Sequence, residues 1–506
     1  MGEQKTTELA MELTSKLSKY GLLLSASVDV DSVAGMDLDV IASRLGEFRK
    51  EGVPVVIDNE KLSAVVQAMR GEKSPKPIEI EIERPATYKP SASDIDARYR
   101  ISNRQVEHAH GAVSDFVDYF NDRFRRMRTI MAQHAAQMGN ALQSLEHLKA
   151  YASGREVYIV GMVSRKSTTK NGNVLVELED ETGTAKVIFV DGTSQRAKEL
   201  FAKSASIIND EVLAVRGKVT GPFVIANELI WPDVPIKVPK RVEDDVAIAF
   251  VSDVHVGSKL FMEKNFSRMI SWLNGSIDDR TRDLAGRVKY LVVGGDVADG
   301  IGVYPNQDRD LAVLDMYTQY RMFFEFMEAV PDYIHVFVLA GNHDAVQRAE
   351  PQPPFGPDLI GDFKKDNVHI VSNPSMLTLH GLDVLTYHGT SLDSIISAVP
   401  GMSYAKPELA MTEVLKRRHL SPIYAGNIIV PSKSDSLVID TVPDILHMGH
   451  IHKNGTANYH GVTLVNSGTW QARTDFQVRQ GHIPTPCILP VYDSKAQSVT
   501  TVDFNQ

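Results

Sequence analysis

The chain has 506 residues, a net charge of −10 and a hydrophobic content of 43%. This length exceeds one hydrophobic core, so we expect about two to four domains. The acidic balance argues against a protein that coats nucleic acid by bulk electrostatics. A single cysteine, Cys487, excludes a disulfide framework and suits a cytoplasmic location. We expect no membrane contact, because the sequence shows neither a membrane-length apolar run nor the apolar segment of a signal peptide.

Residues 1–70 are predicted to form a small helical interaction domain. Leu9, Leu13 and Leu17 are spaced four apart, which places them on one face of a helix. A simple N-terminal cap on the rest of the chain is the alternative. Residues 71–100 are rich in proline and charge and lack a sustained apolar face, so we predict that they form a linker.

Residues 101–153 are predicted to contain a long helix that packs on the core. Phe116, Phe120 and Phe124 recur along one stripe, and four arginines between residues 123 and 128 lie on the opposite face. Aromatic stripes usually pack in cores, and arginine faces are usually solvated or paired with acids. We therefore favour a structural helix over a DNA-binding one.

Residues 154–235 are predicted to form a β-barrel of the OB-fold type. Three strand-like segments, a short helix and two further strand-like segments follow one another, with turn residues between them. Many OB-folds bind single strands through aromatic side chains and a basic groove, and Arg165 and Lys166 lie in the predicted first loop. Few aromatic residues are placed to stack on bases, so a scaffold that faces another protein is an equal alternative.

Residues 236–506 are predicted to form an α/β domain with polar residues at the ends of five strands. Each strand is a short apolar run without alternation, which is typical of strands buried on both faces. In open α/β sheets, ligands and chemistry gather at the carboxyl ends of such strands. The polar residues that follow the five runs are Asp253, His255, Asp296, Asn342, His343, Asp344, His388, His450 and His452.

These residue types predict a site for two divalent metal ions that hydrolyses phosphoesters. Asp296, a lone carboxylate directly after two glycines, is the natural bridge between the ions. We assign Asp253, His255 and His452 to one ion, and Asn342, His388 and His450 to the other. His343 is then free to donate a proton to the leaving oxygen, with Asp344 orienting its imidazole. Oxygen and nitrogen ligands suit Mn, Fe or Zn, and the lack of thiolates excludes a cysteine-type structural zinc site.

The motifs Asp-x-His, Gly-Asp, Gly-Asn-His-Asp, His-Gly and Gly-His-x-His, in that order, resemble those of the calcineurin-like metallophosphoesterases. This resemblance implies a β-sandwich flanked by helices, and its ligand roles agree residue by residue with those assigned above. From about residue 110 onwards the chain also resembles the small subunits of archaeal family D DNA polymerases. The segments that carry this second resemblance are 295–305, 349–353, 417–422 and 466–471.

The second resemblance implies a 3′→5′ exodeoxyribonuclease that proofreads during DNA replication and favours Mn²⁺. Its implied partners are a large catalytic subunit, DNA with a single-stranded or mispaired 3′ end and, through the complex, a sliding clamp. The related small subunits of eukaryotic replicative polymerases have lost the ligands, whereas this chain keeps every one, which favours an active enzyme over an inert scaffold. A free-standing phosphatase or phosphodiesterase is the other alternative. Arg417, Arg418 and His419 are candidates for lining a DNA path, with a structural role as the alternative.

Overall fold

The computed structural model describes residues 2–25, 28–33, 38–46, 55–69, 88–104, 111–137, 139, 141–277, 280–479 and 481–505. The chain divides into two compact units, Met1–Pro77 and Ile78–Gln506. Each unit has a hydrophobic core of its own. Within the described ranges, no helix is both long and apolar enough to cross a bilayer.

The described part of the first unit combines α-helices with two short parallel strands. Its elements are α1 Gly2–Ser18, β1 Leu22–Leu24, α2 Leu38–Leu45, β2 Val55–Ile57 and α3 Asn59–Met69. Leu13 and Leu17 are fully buried in its core, as their spacing on one helical face predicts. The two strands pair in parallel over three residues each. They escaped prediction because three residues are too few to show a periodic pattern.

Residues 88–104 fold with the second unit. The strand β3 Tyr99–Asn103 pairs antiparallel with the segment Ser375–Leu379 of the large domain. The Lys289 Nζ donates a hydrogen bond to the Ala92 carbonyl at 3.0 Å. The prediction that residues 88–100 belong to a linker is therefore wrong, and the rest of the predicted linker, residues 71–87, lies outside the described residues. A strand whose partner is far away in sequence leaves no local pattern by which to predict it.

The predicted long helix is present as α4 Val113–Gln137. One of its faces buries Phe124, Met127 and Met131 against the barrel. Three of its four arginines pair with acidic residues, as the structural alternative expects. These ion pairs are Arg123–Asp435, Arg125–Glu181 and Arg126–Asp440.

Five strands close into a barrel, with one helix inserted between the third and the fourth strand. The elements are β4 Glu156–Thr168, β5 Val174–Asp180, β6 Gly183–Phe189, α5 Gln195–Ser204, β7 Val212–Thr220 and β8 Phe223–Ile230. The strand order is β4-β5-β6-β8-β7, and only the β6–β8 pair within it is parallel. The succession of three strands, a helix and two strands is the one predicted from the sequence.

The remaining strands form two six-stranded sheets. The first sheet has the order β12 Val368–Ile370, β11 His335–Leu339, β10 Val288–Gly294, β9 Ala247–Val251, β18 Ile488–Asp493 and β19 Ser498–Asp503. The second has the order β16 Asn454–Tyr459, β17 Val462–Ser467, β15 Ile445–Met448, β14 Leu382–Thr386, β13 Ser375–Leu379 and β3. Side chains of both sheets, such as Phe250 and Val384, share one buried core.

Helices pack on the outer faces of this sandwich. The helices of the domain are α6 Glu263–Leu273, α7 Arg282–Arg287, α8 Met316–Glu328, α9 Pro357–Ile360, α10 Leu392–Ala398, α11 Pro407–Arg417 and α12 Asp475–Arg479. Residues of α6 and α8 share a core with the first sheet, and residues of α10 and α11 share one with the second. This agrees with the predicted sandwich flanked by helices.

The direction of the strands determines where their ends lie. In the first sheet β9, β10 and β11 are parallel neighbours, and in the second β14 and β15 are parallel neighbours. Parallel neighbours end at the same edge of a sheet, so the residues that follow them come close together.

Candidate metal centre

The structure brings the seven predicted metal ligands together at the strand ends, beside a cavity of about 290 Å³. The first sheet supplies Asp253 and His255 after β9, Asp296 after β10 and Asn342 after β11; the second supplies His388 after β14, and His450 and His452 after β15. Six of the seven, together with His343, form overlapping groups of three whose potential ligand atoms lie within 4.8 Å of one another. Each sheet therefore contributes to the site.

Five of the seven residues have a left-handed backbone conformation. Their φ angles are 53° for Asp253, 55° for His255, 51° for Asp296, 67° for His450 and 57° for His452. This conformation costs about 1–3 kcal/mol for a residue other than glycine, and it persists where the surroundings enforce it, most often at functional sites. Asp and His tolerate it better than most residues do. The loops that carry these residues are therefore tight turns at the edge of the cavity.

Two glycines make these turns possible by leaving room for the carboxylates. A Cβ atom at Gly341 would lie 2.2 Å from the Asp296 Oδ1, and one at Gly449 would lie 2.5 Å from the Asp253 Oδ2. Either methyl group would displace a predicted ligand. The glycines of the Gly-Asn-His-Asp and Gly-His-x-His motifs therefore have a steric reason for their positions.

The first group consists of Asp253, His255 and His452. The Nε2 atoms of the two histidines lie 3.0 Å apart, and the Asp253 Oδ1 lies 3.3 Å from the His452 Nε2. The His255 Nδ1 lies 3.0 Å from the Asp299 Oδ1, an arrangement that leaves Nε2 to act as a metal ligand. Within the described residues, the buried Asp253 Oδ1 has no hydrogen-bond donor. A buried carboxylate oxygen without a donor, next to two imidazole nitrogens, fits a metal ligand.

The second group is built around His388. Its Nδ1 lies 2.8 Å from the Gly294 carbonyl, and because a carbonyl can only accept, Nδ1 carries the proton. In the neutral ring, which is the form that binds a metal, Nε2 is unprotonated and faces two other acceptors, the Asn342 Oδ1 at 2.9 Å and the Asp296 Oδ2 at 3.3 Å. Three converging acceptors repel one another unless a cation or a proton lies among them. His450 completes the group; its Nε2 lies 2.9 Å from the Asp393 Oδ2, which leaves Nδ1 for a ligand.

The Asp296 carboxylate lies between the two groups. Its Oδ2 atom is 3.3 Å from the His388 Nε2 and 4.0 Å from the His255 Nε2. The Oδ1 atom accepts a hydrogen bond from the His343 backbone N–H at 2.8 Å. One carboxylate thus reaches toward a histidine of each group, which is the position predicted for a bridging ligand.

The titration behaviour of the site reflects its concentrated negative charge. Burial would raise the pKa of Asp253, but His452 outweighs burial and lowers that pKa to about 2. Burial would lower the pKa of His388, yet the neighbouring Asp296 raises it to about 10. Carboxylates that remain charged while buried need nearby positive charge. Divalent cations supply that charge, and the oxygen and nitrogen donors present here suit them.

His343 and Asp344 follow the same strand but have different surroundings. The His343 Nδ1 lies 2.8 Å from the Asp299 carbonyl, so Nδ1 carries the proton and Nε2 is unprotonated in the neutral ring. The Asp344 carboxylate instead accepts hydrogen bonds from the Gly341 backbone N–H at 2.8 Å and from the Tyr320 hydroxyl at 2.9 Å. The prediction that Asp344 orients the His343 imidazole is therefore wrong, because the Asp299 carbonyl does so. Asp344 holds the ligand loops together.

Two carboxylates of the site were not predicted, Asp299 and Asp393. Asp299 contacts His255 and also accepts a hydrogen bond from the Gln471 side chain at 3.1 Å. Asp393 contacts His450 from the first turn of α10. Asp299 lies three residues after Asp296, so an acid close to a predicted ligand was the signal available in the sequence. Nothing local distinguishes Asp393 from an ordinary helix N-terminal acid.

The three residues proposed to line a DNA path are buried, which corrects that prediction. Arg417, Arg418 and His419 are 2–4% exposed. The Arg417 Nε lies 2.6 Å from the Glu211 Oε2, at the junction of barrel and sandwich. The Arg418 Nε donates to the Ile439 carbonyl at 2.7 Å, and the His419 Nε2 lies 2.8 Å from the Asp435 Oδ2. Their role is structural, the alternative that the sequence left open.

The two basic residues predicted in the first barrel loop lie on the strand β4 instead. The Lys166 Nζ donates to the carbonyls of Ala205 and Ile207, at 2.5 and 2.9 Å, so this ammonium group is engaged within the protein. Arg165 is exposed. The role of Arg165 as a DNA contact therefore stays a prediction.

Comparisons with known proteins agree with one another. A family model that describes the B-subunits of DNA polymerases alpha and epsilon matches residues 248–456. The DNA polymerase II small subunit of Methanocaldococcus jannaschii is 40% identical, over 79% of this chain and 68% of that protein. The protein of the same name from Archaeoglobus fulgidus is 41% identical, over 76% of this chain and 75% of that protein. The one from Methanothermobacter thermautotrophicus is 34% identical, over 95% of this chain and 97% of that protein, so the similarity extends into the first unit.

Proposed function

The chain belongs to the family of archaeal DNA polymerase II small subunits, and we propose that it is the nuclease of a family D DNA polymerase. In this proposal the chain hydrolyses DNA phosphodiesters in the 3′→5′ direction with two divalent metal ions, Mn²⁺ being the favoured ion. It thereby proofreads for the large catalytic subunit, the partner that membership of this family implies. The direction of digestion and the proofreading role rest on the family resemblance, and the chemistry rests on the metal centre.

The observation that carries the proposal is the position of the Asp296 carboxylate between His255 and His388. A carboxylate that reaches two ligand groups is what a two-metal hydrolase needs. Asp253, His255 and His452 would hold one ion, and Asn342, His388 and His450 the other, with Asp296 shared. When bound, such ions polarise a phosphoryl oxygen and lower the pKa of water.

The residues of the chain itself position the substrate and move a proton. The His343 Nδ1–H donates to the Asp299 carbonyl, which holds the ring at the cavity wall. Its Nε2 is the atom from which a proton would pass to the leaving oxygen, once the ring has taken up a second proton. His343 also belongs to one of the potential ligand groups, with His255 and Asp296, so a ligand role is the competing assignment.

The size and charge of the site support a single-stranded or mispaired DNA end as the substrate. A cavity of about 290 Å³ is at the lower end of the range for small-ligand pockets and admits about one nucleotide. A net charge of −10 gives the isolated chain little non-specific affinity for DNA, since neutralised phosphates supply most of it. The large subunit would therefore have to present the strand.

We also infer that the barrel is an OB-fold. Its strand order, with a helix between the third and the fourth strand, is that of a five-stranded Greek-key barrel. The exposed Arg165 on β4 is the candidate for a DNA contact on it. The outer face of the barrel and an exposed apolar edge of the C-terminal domain are not needed for metal chemistry, so we propose that they receive the large subunit, through which a sliding clamp would be reached.

Degradation of primers with paired and mispaired 3′ ends, with and without the large subunit, tests the proposal. We expect weak, salt-sensitive cleavage by the chain alone, and faster cleavage of the mispaired end in the complex. Equal cleavage of both primers, unchanged by the partner, would leave a nuclease without a proofreading role. Hydrolysis of small phosphodiesters without any action on DNA ends would instead favour a free-standing phosphodiesterase.

A further inference from the structure

One wall of the metal-centre cavity is aromatic, and the chemistry proposed above makes no use of it. The rings of Tyr404 and His482 lie 4.0 Å apart between centroids, with their planes 31° from parallel. Both side chains are partly exposed, and both line the cavity. Tyr304 lines the same cavity, with its ring centroid 6.3 Å from that of His343. The cavity thus combines a polar floor with flat apolar surfaces.

Tyr404 is fixed relative to the metal centre. Its hydroxyl lies close to the Asp393 carboxylate, and the Asp393 Oδ2 lies 2.9 Å from the His450 Nε2. The ring also packs against the hydrophobic core that includes residues of α10 and α11. The backbone N–H of His482 donates to the Gln477 carbonyl at 2.8 Å, while the Gln477 side-chain amide lies 2.8 Å from the His452 Nδ1. Each ring of the pair is therefore connected to a predicted metal ligand.

A flat aromatic surface next to a phosphodiester-cleaving centre suits the base of a nucleotide. Bases stack on aromatic side chains regardless of their identity, because every base has a π face. A phosphate held at the metal centre would leave its sugar and base within the same small cavity. The terminal residue of a duplex, whose base is paired, could not enter it.

We propose that Tyr404 and His482 form the stacking site for the base of the terminal nucleotide. This assignment rests on the proposed nuclease function and adds the way in which its substrate is selected. A base must leave its partner strand before it can stack here, and a mispaired base leaves more easily. Stacking therefore makes the site tolerant of sequence and sensitive to pairing.

Two kinds of measurement on the full-length chain test this. The first is the KM and kcat of Tyr404→Ala on a single-stranded oligonucleotide with Mn²⁺. We expect KM to rise about tenfold and kcat to change less than about threefold, as for the loss of one base–aromatic contact. Tyr404→Phe, which keeps the aromatic ring, should have the KM of the wild type. Tyr317→Ala, which removes a tyrosine that is 41% exposed and lines a different cavity, is the matched control and should leave KM unchanged.

The second measurement is of binding alone. Oligonucleotides with 2-aminopurine at the 3′ or the 5′ end, and a phosphorothioate linkage that slows cleavage, report stacking as quenched fluorescence. We expect quenching of the 3′ probe by the wild-type chain and its loss in Tyr404→Ala. If Tyr404→Ala fails to fold, His482→Ala serves in both measurements with the same expected results.

An unchanged KM together with unchanged quenching would overturn the stacking site. So would an equal rise of KM on an oligonucleotide whose terminal nucleotide lacks its base, because the effect of the ring would then be structural. A different result would contradict the proposed nuclease function without contradicting the stacking site. A wild-type chain with Mn²⁺ that cleaves neither the oligonucleotide nor bis(p-nitrophenyl) phosphate, yet quenches the 3′ probe through Tyr404, would keep the binding site and lose the nuclease.

Discussion

Two buried clusters of charge in the second unit differ in how their charges are compensated. At the junction of barrel and sandwich, the Arg123 Nε donates to the Asp435 Oδ2 at 2.7 Å, and the His419 Nε2 lies 2.8 Å from the same oxygen. At the metal centre, the His388 Nε2 faces the Asn342 Oδ1 at 2.9 Å and the Asp296 Oδ2 at 3.3 Å. In the first cluster a permanent guanidinium cation meets the carboxylate, whereas in the second the oxygens meet an imidazole, which can carry either a proton or a metal ion.

The histidines of the two clusters show the consequence. Burial and the nearby Arg123 lower the pKa of His419 to about 4, so this ring is neutral at pH 7. The pKa of His388, equally buried, is raised to about 10 by Asp296 in spite of burial. Burial of charge alone therefore does not identify a functional site. A buried carboxylate that is surrounded by imidazoles does, because an imidazole can bind a metal ion in place of a proton.

The largest effect should come from Asp296→Ala, which removes the carboxylate shared by both ligand groups. Nuclease activity should fall by more than about 10⁴-fold, because both ions lose a ligand together. Circular dichroism and binding to the large subunit should stay close to wild type, because neither the hydrophobic cores of the sandwich nor the barrel depends on this side chain. Near-normal activity of the variant at saturating Mn²⁺ would show that the two-metal assignment is wrong.

His343→Ala should reduce kcat by about 10²–10⁴-fold, the usual contribution of a general acid. Its metal content, measured by elemental analysis, should equal that of the wild type, because His343 is assigned to proton transfer. His134→Ala, on the helix α4, is the matched control for loss of an imidazole and should leave both values unchanged. A His343→Ala protein that is isolated without metal would place His343 among the ligands instead.

At the junction, Asp435→Asn should lower the free energy of unfolding by about 3–5 kcal/mol. The substitution leaves Arg123, which is 2% exposed, as a buried charge without its counter-ion. Glu181→Gln breaks the exposed pair with Arg125 and should leave the free energy of unfolding nearly unchanged, because water screens this pair. Chemical denaturation measures both values. Equal values for the two variants would contradict the distinction between the paired cluster and the surface.

A smaller effect than the loss of Asp435 is a pH dependence of stability that originates at His419. Its pKa is about 4 in the folded chain and about 6.5 when unfolded, so the unfolded state binds the extra proton as the pH falls. Stability is thus fully present above pH 6.5 and is lost as the pH falls toward 4. Between pH 7.5 and pH 5 this residue should account for about 2 kcal/mol.

Denaturation curves at the two pH values, compared between wild type and His419→Gln, measure that contribution. The variant should show a pH dependence weaker by about the amount given above. His147→Gln, at an exposed position, should keep the wild-type dependence. An identical dependence in the wild type and in His419→Gln would mean that His419 is not neutral in the folded chain.

The sequence predicts which side chains meet at the candidate metal centre because each follows a buried strand directly. An apolar run that ends in Asp, Asn or His fixes both the strand and the place of its last side chain, as at Asp253 and His388. The barrel was predictable for a similar reason, since its strands and helix are consecutive. In both cases the information is local.

What the sequence does not show is set by contacts between distant segments. Asp393 meets His450, and β3 meets β13, only after the chain has folded. Arg417 and His419 belong to a polar segment that is typical of a surface, yet both are enclosed where the barrel packs on the sandwich. Burial of a charged side chain depends on its partner, and a single sequence does not name that partner.

The predicted ligands come from both layers of the sandwich, so a bound metal ion would also connect the two sheets physically. In the first group Asp253 and His255 follow a strand of one sheet, and His452 follows a strand of the other. The second group also joins the sheets, through Asp296 and His388. A cation held by either group is therefore a crosslink between the layers at the edge where the strands end. Binding of the cation would slow hydrogen exchange in the ends of β9 and β15. Removal of the cation by a chelator would loosen that edge before the rest of the sandwich.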